Sequence, residues 1–282
     1  MRGRLLHVLS AVSVLVVSGG GLIAIGSFLT EREIGTYTES VRRIATAHRF
    51  QPVDPSAMQE LPAPVRRYIE FALPNPELRY QVVSIAAEGD FRRPLTNGFA
   101  PTTASQTIAA GTPALMFAAT TPVAPGIWAR AYDFFAEGRM EMRAKIVSTI
   151  TVVNESATDA LNRTSLRRWL LESPLYPFAL LPGGPVRWEA IDETRARAIV
   201  SGFGLEAALV ATFRPDGSLA SFDAEEDGDI TTPYHGSGEH AAREDYRRVA
   251  GMMIPHSFMI ARAADGKTLP FWKGRITSIV FE

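Results

Sequence analysis

Cysteine is absent from the 282 residues. That excludes disulfides, thiol nucleophiles and thiolate metal sites, and with them acylation at an N-terminal lipobox cysteine. A charge excess is also missing: 29 Lys and Arg against 30 Asp and Glu leave a formal net charge of −1. A broad nucleic-acid surface needs a basic surplus to neutralise phosphates, so nucleic acid is not an expected partner. The chain carries no G-x-S-x-G, Walker A, G-x-G-x-x-G or H-E-x-x-H motif, so the common nucleophile, phosphate, dinucleotide and zinc signatures are all lacking. No cofactor is implied. Strands do not alternate with helices, which disfavours a βαβ enzyme fold.

What is present begins at the N-terminus. Residues 5–29 hold no Asp, Glu, Lys or Arg. As a helix this run would span about 37 Å at ~1.5 Å per residue, enough for a hydrocarbon core of ~30 Å. Arg2 and Arg4 precede it, and the positive-inside rule then puts the N-terminus in the cytoplasm. The expectation is a single-pass anchor over residues 1–30 in a bacterial inner membrane, with the remainder extracytoplasmic. The alternative is a signal peptide whose apolar region covers residues 8–17. Residues 31–60 read as a juxtamembrane helix and linker, and residues 61–282 as a β-rich domain.

Within that domain, LPAPVRRYIEFALP (residues 61–74) is a short helix: Val65, Tyr68, Ile69 and Ala72 fall on one face and prolines close both ends. After Arg79 the period changes to two. In MEMRAKI, Met140, Met142, Ala144 and Ile146 alternate with Glu141, Arg143 and Lys145, the pattern of an antiparallel strand with one buried side. Trp128, Tyr132 and Phe134 share a face of another strand. One longer helix follows, with Ser156 and Asp159 as a capping box and with Pro174 and Pro177 forbidding its continuation beyond Ser173. Hairpins with Pro-Asp-Gly and Asp-Gly turns return to strands at the C-terminus. The fold class expected is α+β, mainly antiparallel β: a curved half-barrel or barrel-like sheet of about ten strands with one inserted helix.

Metal chemistry is weakly signalled. His235 and His240 sit i,i+5, which on a strand points them to opposite faces. Asp223, Glu225, Asp227 and Gly228 match the first half of an EF-hand loop, but its twelfth position is Tyr234 instead of a bidentate Glu; a solvated acidic loop is the preferred reading. The aromatic residues offer more. RRWLLESPLYPFALLP (residues 167–182) is a helix broken by prolines into an apolar segment, suited to roofing a concave sheet. The candidate ligand-binding residues are Trp128, Trp169, Tyr176, Phe178 and Trp188 as apolar wall, with Arg143 and Glu172 as the polar groups that fix orientation.

The stretches LPAPVRRYIEFALP, GRMEMRAKI, LRRWLLESPLYPFALLP, VRWEAID, DYRRVAGMMIP and PFWKGRITSIVF, taken together, resemble an uncharacterised bacterial family of membrane-anchored proteins known only as a domain of unknown function. That family has no known catalytic residues, so the resemblance implies none here. More distantly, the layout resembles the lipoprotein-carrier fold, an incomplete antiparallel barrel lined by apolar residues. By that analogy the expected function is non-catalytic binding of a lipid or other apolar ligand. The alternatives are an interaction module of a cell-envelope assembly, with a filled core, and a hydrolase with an unrecognised carboxylate site.

Overall fold

In the computed structural model, residues 2–93, 96–230 and 238–282 are described, with side chains from Gly19 onward. Three helices lead: α1 (Arg2–Ala47), α2 (Pro55–Glu60) and α3 (Ala63–Ala72). Six strands follow: β1 (Val82–Arg92), β2 (Phe99–Ala109), β3 (Ala114–Ala124), β4 (Ile127–Ala136), β5 (Arg139–Ile146) and β6 (Ile150–Ser156). Then come α4 (Asp159–Glu172), two short 3₁₀ turns over Ser173–Leu175 and Pro177–Leu180, and seven strands. These are β7 (Val186–Ala190), β8 (Arg195–Gly202), β9 (Leu205–Phe213), β10 (Leu219–Asp223), β11 (His240–Val249), β12 (Met252–Ala264) and β13 (Lys267–Phe281).

All thirteen strands join one antiparallel sheet in the order β6-β5-β4-β3-β2-β1-β13-β12-β11-β10-β9-β8-β7. The chain starts at the centre, walks outward by hairpins to β6, crosses to the far edge at β7, and walks back until β13 closes against β1. The crossing is α4. It packs on β4 and β5 and also on β8 and β9. In a flat sheet β4 and β9 would lie about 38 Å apart at ~4.8 Å per strand, whereas a helix is only ~10–12 Å wide. The sheet must therefore curl around α4. Its edges, β6 and β7, do not pair, so this is an open half-barrel and not a closed one. The about ten strands expected become thirteen; β6 is the segment in which no strand was legible.

Curvature at the centre has a local cause. Gly89 of β1 faces Gly274 of β13, beside a register shift at Ala86/Ala87. A Cβ at Gly89 would lie 2.0 Å from the Lys273 carbonyl, and one at Gly274 2.5 Å from the Glu88 carbonyl. Only glycine permits so close an approach of the two backbones.

Each helix follows from its pattern. In α3, Val65, Tyr68, Ile69 and Ala72 are buried on one face, as the spacing requires. α4 is capped by Thr158, whose hydroxyl accepts from Leu161 N; Ser156, expected to cap it, instead ends β6. Pro174 and Pro177 each sit in the first turn of a 3₁₀ segment, where a missing N–H costs nothing.

α1 corrects the sequence reading. Among the described residues no helix is long and apolar enough to cross a membrane, so a single-pass inner-membrane anchor over residues 5–29 is not supported. Residues 5–18 lie outside those whose side chains are described. From Gly19 the apolar stretch lasts only to Leu29, and the helix then continues unbroken to Ala47 as a strap across the back of the sheet. Ile34, Val41 and Ala45 pack there with Met116, Ala118 and Tyr132 in a second, smaller core. Glu31 pairs with Arg130 at 2.8 Å, Glu33 with Arg143 and Lys145, and Arg42 with Glu282 at 2.8 Å. Tyr132 donates to Glu33 Oε2 at 2.6 Å; burial, with Tyr37 and nearby carboxylates adding to it, pushes this phenol up to about 12 and keeps it a donor.

Candidate functional site

Strand alternation decides which side chains look toward α4. On β3 these are Phe117, Ala119 and Thr121; on β4, Ala129, Ala131 and Asp133; on β5, Met142, Ala144 and Ile146. Register aligns them in rows. Ala119, Ala131, Ala144 and Val153 form one row across β3 to β6, flanked by the row Phe117, Asp133, Met142 and Glu155. Three alanines side by side on a concave face leave space that larger residues would fill. The space is a cavity of about 480 Å³, completed by Leu171 of α4 and by Ile260, Phe271 and Trp272 of β12 and β13. Ligand pockets commonly hold ~300–1,000 Å³ with apolar walls and a few placed polar groups. Val152 both lines the cavity and is 57% exposed, which places an opening beside edge strand β6.

Three ionisable groups on the wall, Asp133, Arg168 and Glu172, are engaged with protein partners. Arg168 Nη1 donates to Asp133 Oδ2 at 2.5 Å, and its guanidinium lies 4.3 Å from the Phe117 ring centroid. One turn further along α4, Glu172 accepts from Arg243 Nη2 at 2.8 Å. Arg243 is 1% exposed and also donates to the Leu171 carbonyl. At the far end the hydroxyls of Thr102 and Thr121 bond each other at 2.8 Å.

Of the seven residues singled out from sequence, Glu172 lines this cavity. Arg143 does not: Met142, Ala144 and Ile146 take the inner face of β5, so Arg143 points to the back of the sheet, pairing with Glu33 and with Asn154 at 3.0 Å. Trp128 is likewise on the outer face of β4, donating to Ser148 Oγ at 3.0 Å. Trp169 and Tyr176 are fully buried; Trp169 Nε1 donates to the Ala109 carbonyl at 2.9 Å, and the Tyr176 hydroxyl to the Trp169 carbonyl. Burial raises that phenol well above its ordinary range. They form the core beneath the helix. Trp188 donates to the Leu180 carbonyl at 3.1 Å and packs near Phe213. Phe178 borders a separate, smaller pocket.

Sequence reasoning missed Asp133, Arg168, Arg243 and the alanine row. A signal existed for the first: Asp133 is a lone carboxylate in IWARAYDFFA, on the same parity as buried Phe135.

The acidic loop is occupied by protein partners. Asp223 accepts from His240 and Ser221, Glu225 pairs with Arg197, and Asp227 accepts from Asp265 N at 3.1 Å. Among the described residues no three His, Asp or Glu side chains converge on a metal-sized site. His235 and Tyr234 lie outside the described residues.

The chain belongs to the family of unknown function DUF6920, whose pattern matches residues 59–281. No curated protein matches it. Among solved structures it is similar to a DUF1329 family protein from Desulfovibrio piger, at 9% identity and a TM-score of 0.41, covering 78% of this chain and 92% of that one. It is also similar to a LolA superfamily protein from Nitrosomonas europaea, at 8% identity and a TM-score of 0.35, covering 82% and 94%.

Proposed function

We propose that this member of a family of unknown function is a non-catalytic binder of a lipid or other apolar ligand, held in the cavity between α4 and the concave face of β1 to β6. The observation that carries the reading is the row Ala119, Ala131 and Ala144. Protein interiors are close-packed, and voids larger than a water are few. A cavity of about 480 Å³ with an apolar wall and an opening at the sheet edge supports an occupant whose methylenes each gain ~0.8 kcal/mol on leaving water.

The filled-core interaction module is disfavoured by the same space. The carboxylate hydrolase is disfavoured by the partners of Asp133 and Glu172, since both are bonded to a guanidinium and neither is placed as a general acid or base. Phe117, Met142, Phe271 and Trp272 would form the wall around the ligand, with the buried Glu172 beside them.

The test uses the full chain purified without detergent. Native mass spectrometry and organic extraction look for a stoichiometric lipid, and cis-parinaric acid, a fluorescent fatty acid, is titrated in parallel. Saturable uptake near one per chain is expected. Ala131→Trp fills the cavity and should abolish uptake while the thermal transition remains cooperative. A clean unliganded mass with no uptake by the wild-type chain would rule the reading out.

A further inference from the structure

A second concave site lies at the opposite end of the strands. β1 runs from this end at Val82 to the large cavity at Phe91, about 30 Å away at ~3.3 Å per residue. The pocket has a volume of about 140 Å³ and is lined by His48, Arg49, Phe50, Arg79, Phe178 and the Pro-Gly-Gly-Pro turn at residues 182–185. At ~30 Å³ per liquid water, it has room for roughly four to five waters.

Its charge is one-sided. Arg49 Nη1 donates to the Thr46 and His48 carbonyls at 2.9 and 3.2 Å. Arg79 Nη1 donates to the Pro76 and Leu78 carbonyls at 2.5 and 2.7 Å. Each guanidinium is thus anchored through one nitrogen, and its remaining donors make no hydrogen bond to the described residues. Neither forms an ion pair with a described carboxylate; Glu77 acts on Arg79 only through space. By contrast Arg130, Arg197, Arg243 and Arg275 on the sheet, and Arg168 on α4, each face a carboxylate. Arg79 is half-buried, and burial lowers its affinity for the proton, with Glu77 offsetting only part of that through space. Its guanidinium also lies 5.8 Å from the Phe50 ring centroid, and Phe50 meets Phe178 edge to face. One half of the pocket is therefore cationic and the other aromatic.

Guanidinium forks match the oxygens of a phosphate group, and two of them match its two charges. We propose that this pocket binds the phosphate group of a small organic phosphate, its oxygens on Arg49 and Arg79 and its carbon portion against Phe50 and Phe178. This site is independent of the apolar cavity. A soluble phosphomonoester and a lipid phosphate headgroup share this chemistry.

Isothermal titration of the full chain with phenyl phosphate, at constant ionic strength, tests the proposal. Sedimentation with phosphatidic acid in phosphatidylcholine vesicles, against phosphatidylcholine alone, tests the lipid source. Sub-millimolar binding of phenyl phosphate, or selective pelleting with phosphatidic acid, is expected for the wild type; which of the two occurs identifies the source. Arg49→Gln should weaken it at least tenfold. Arg49 is exposed at the end of α1, so that variant keeps the fold even where Arg79→Gln disturbs its own turn. Lys267→Gln, an exposed cation at the β12–β13 turn at the other end of the strands, should change nothing. Absence of binding to both probes, binding unchanged in Arg49→Gln, or equal weakening in Lys267→Gln would overturn the proposal.

Discussion

Arg168 and Asp133 come from the helix that crosses the sheet and from the strand it crosses, and they meet at 2.5 Å with each side chain only 9% exposed. The pair ties the roof of the cavity to its floor. Removing one partner leaves a buried charge alone, which typically costs about 3–5 kcal/mol. Asp133→Ala should therefore lower the unfolding free energy by about that much in urea titration. Asp133→Ala combined with Arg168→Met removes both charges and should recover much of the loss. A single variant within 1 kcal/mol of wild type would show that the pair does not hold the helix down.

Gly274 gives a sharper steric test. A Cβ there would sit 2.5 Å from the Glu88 carbonyl and 2.8 Å from Phe258 Cζ. The carbonyl belongs to the neighbouring strand and cannot turn away, so Gly274→Ala must part β1 from β13 at the seam where the two halves of the sheet join. A loss of about 1–3 kcal/mol, the usual range for overpacking, is expected. Gly266→Ala provides the contrast: nothing lies near its Cβ, and its strain is that of a positive φ of 70° alone. Comparable thermal shifts for both would remove the seam argument.

Arg143→Ala separates the two faces of β5. The pair with Glu33 is partly exposed, each side chain at 29%, and such pairs contribute about 0–1 kcal/mol. The variant should lose little stability and should take up cis-parinaric acid as the wild type does. Lost uptake without lost stability would mean that the cavity reaches through to the back of the sheet.

Arg143 also shows what the sequence could and could not say. Its alternation with Met142 and Ala144 is correct, because a period of two follows from strand geometry alone. Which face became the cavity was not legible, since a charged face can meet water, a ligand or another element, and here it meets α1. The aromatic residues were misleading for a related reason: Trp169 and Tyr176 bury the most area by filling the core, whereas the cavity is made by alanines. Alanine suits either face of a strand, and only the register of β3, β4 and β5 brings Ala119, Ala131 and Ala144 into one row. By contrast α3, α4 and most hairpins were readable, because prolines, caps and turn residues act locally. α1 was not, because its course along the sheet is set by partners up to 240 residues away, such as Glu282 for Arg42.

His48 ties the end of α1 to the β2–β3 turn: its Nδ1 lies 3.0 Å from Thr112 Oγ1, and its ring packs edge-on to Phe50 and against Gly111. Burial lowers its proton affinity below the ordinary value of 6.5. As pH falls through 6.5, the unfolded chain binds a proton at this ring before the folded chain does. The unfolded state is then favoured, so stability declines from about pH 7 down to the folded value and levels off below it. Chemical unfolding between pH 8 and pH 5 should show this decline, and His48→Gln should flatten it relative to wild type. The comparison isolates His48, since His240 and His256 remain in both chains. An unchanged slope in the variant would assign the pH dependence to other groups and leave His48 without a charge-linked role at this junction.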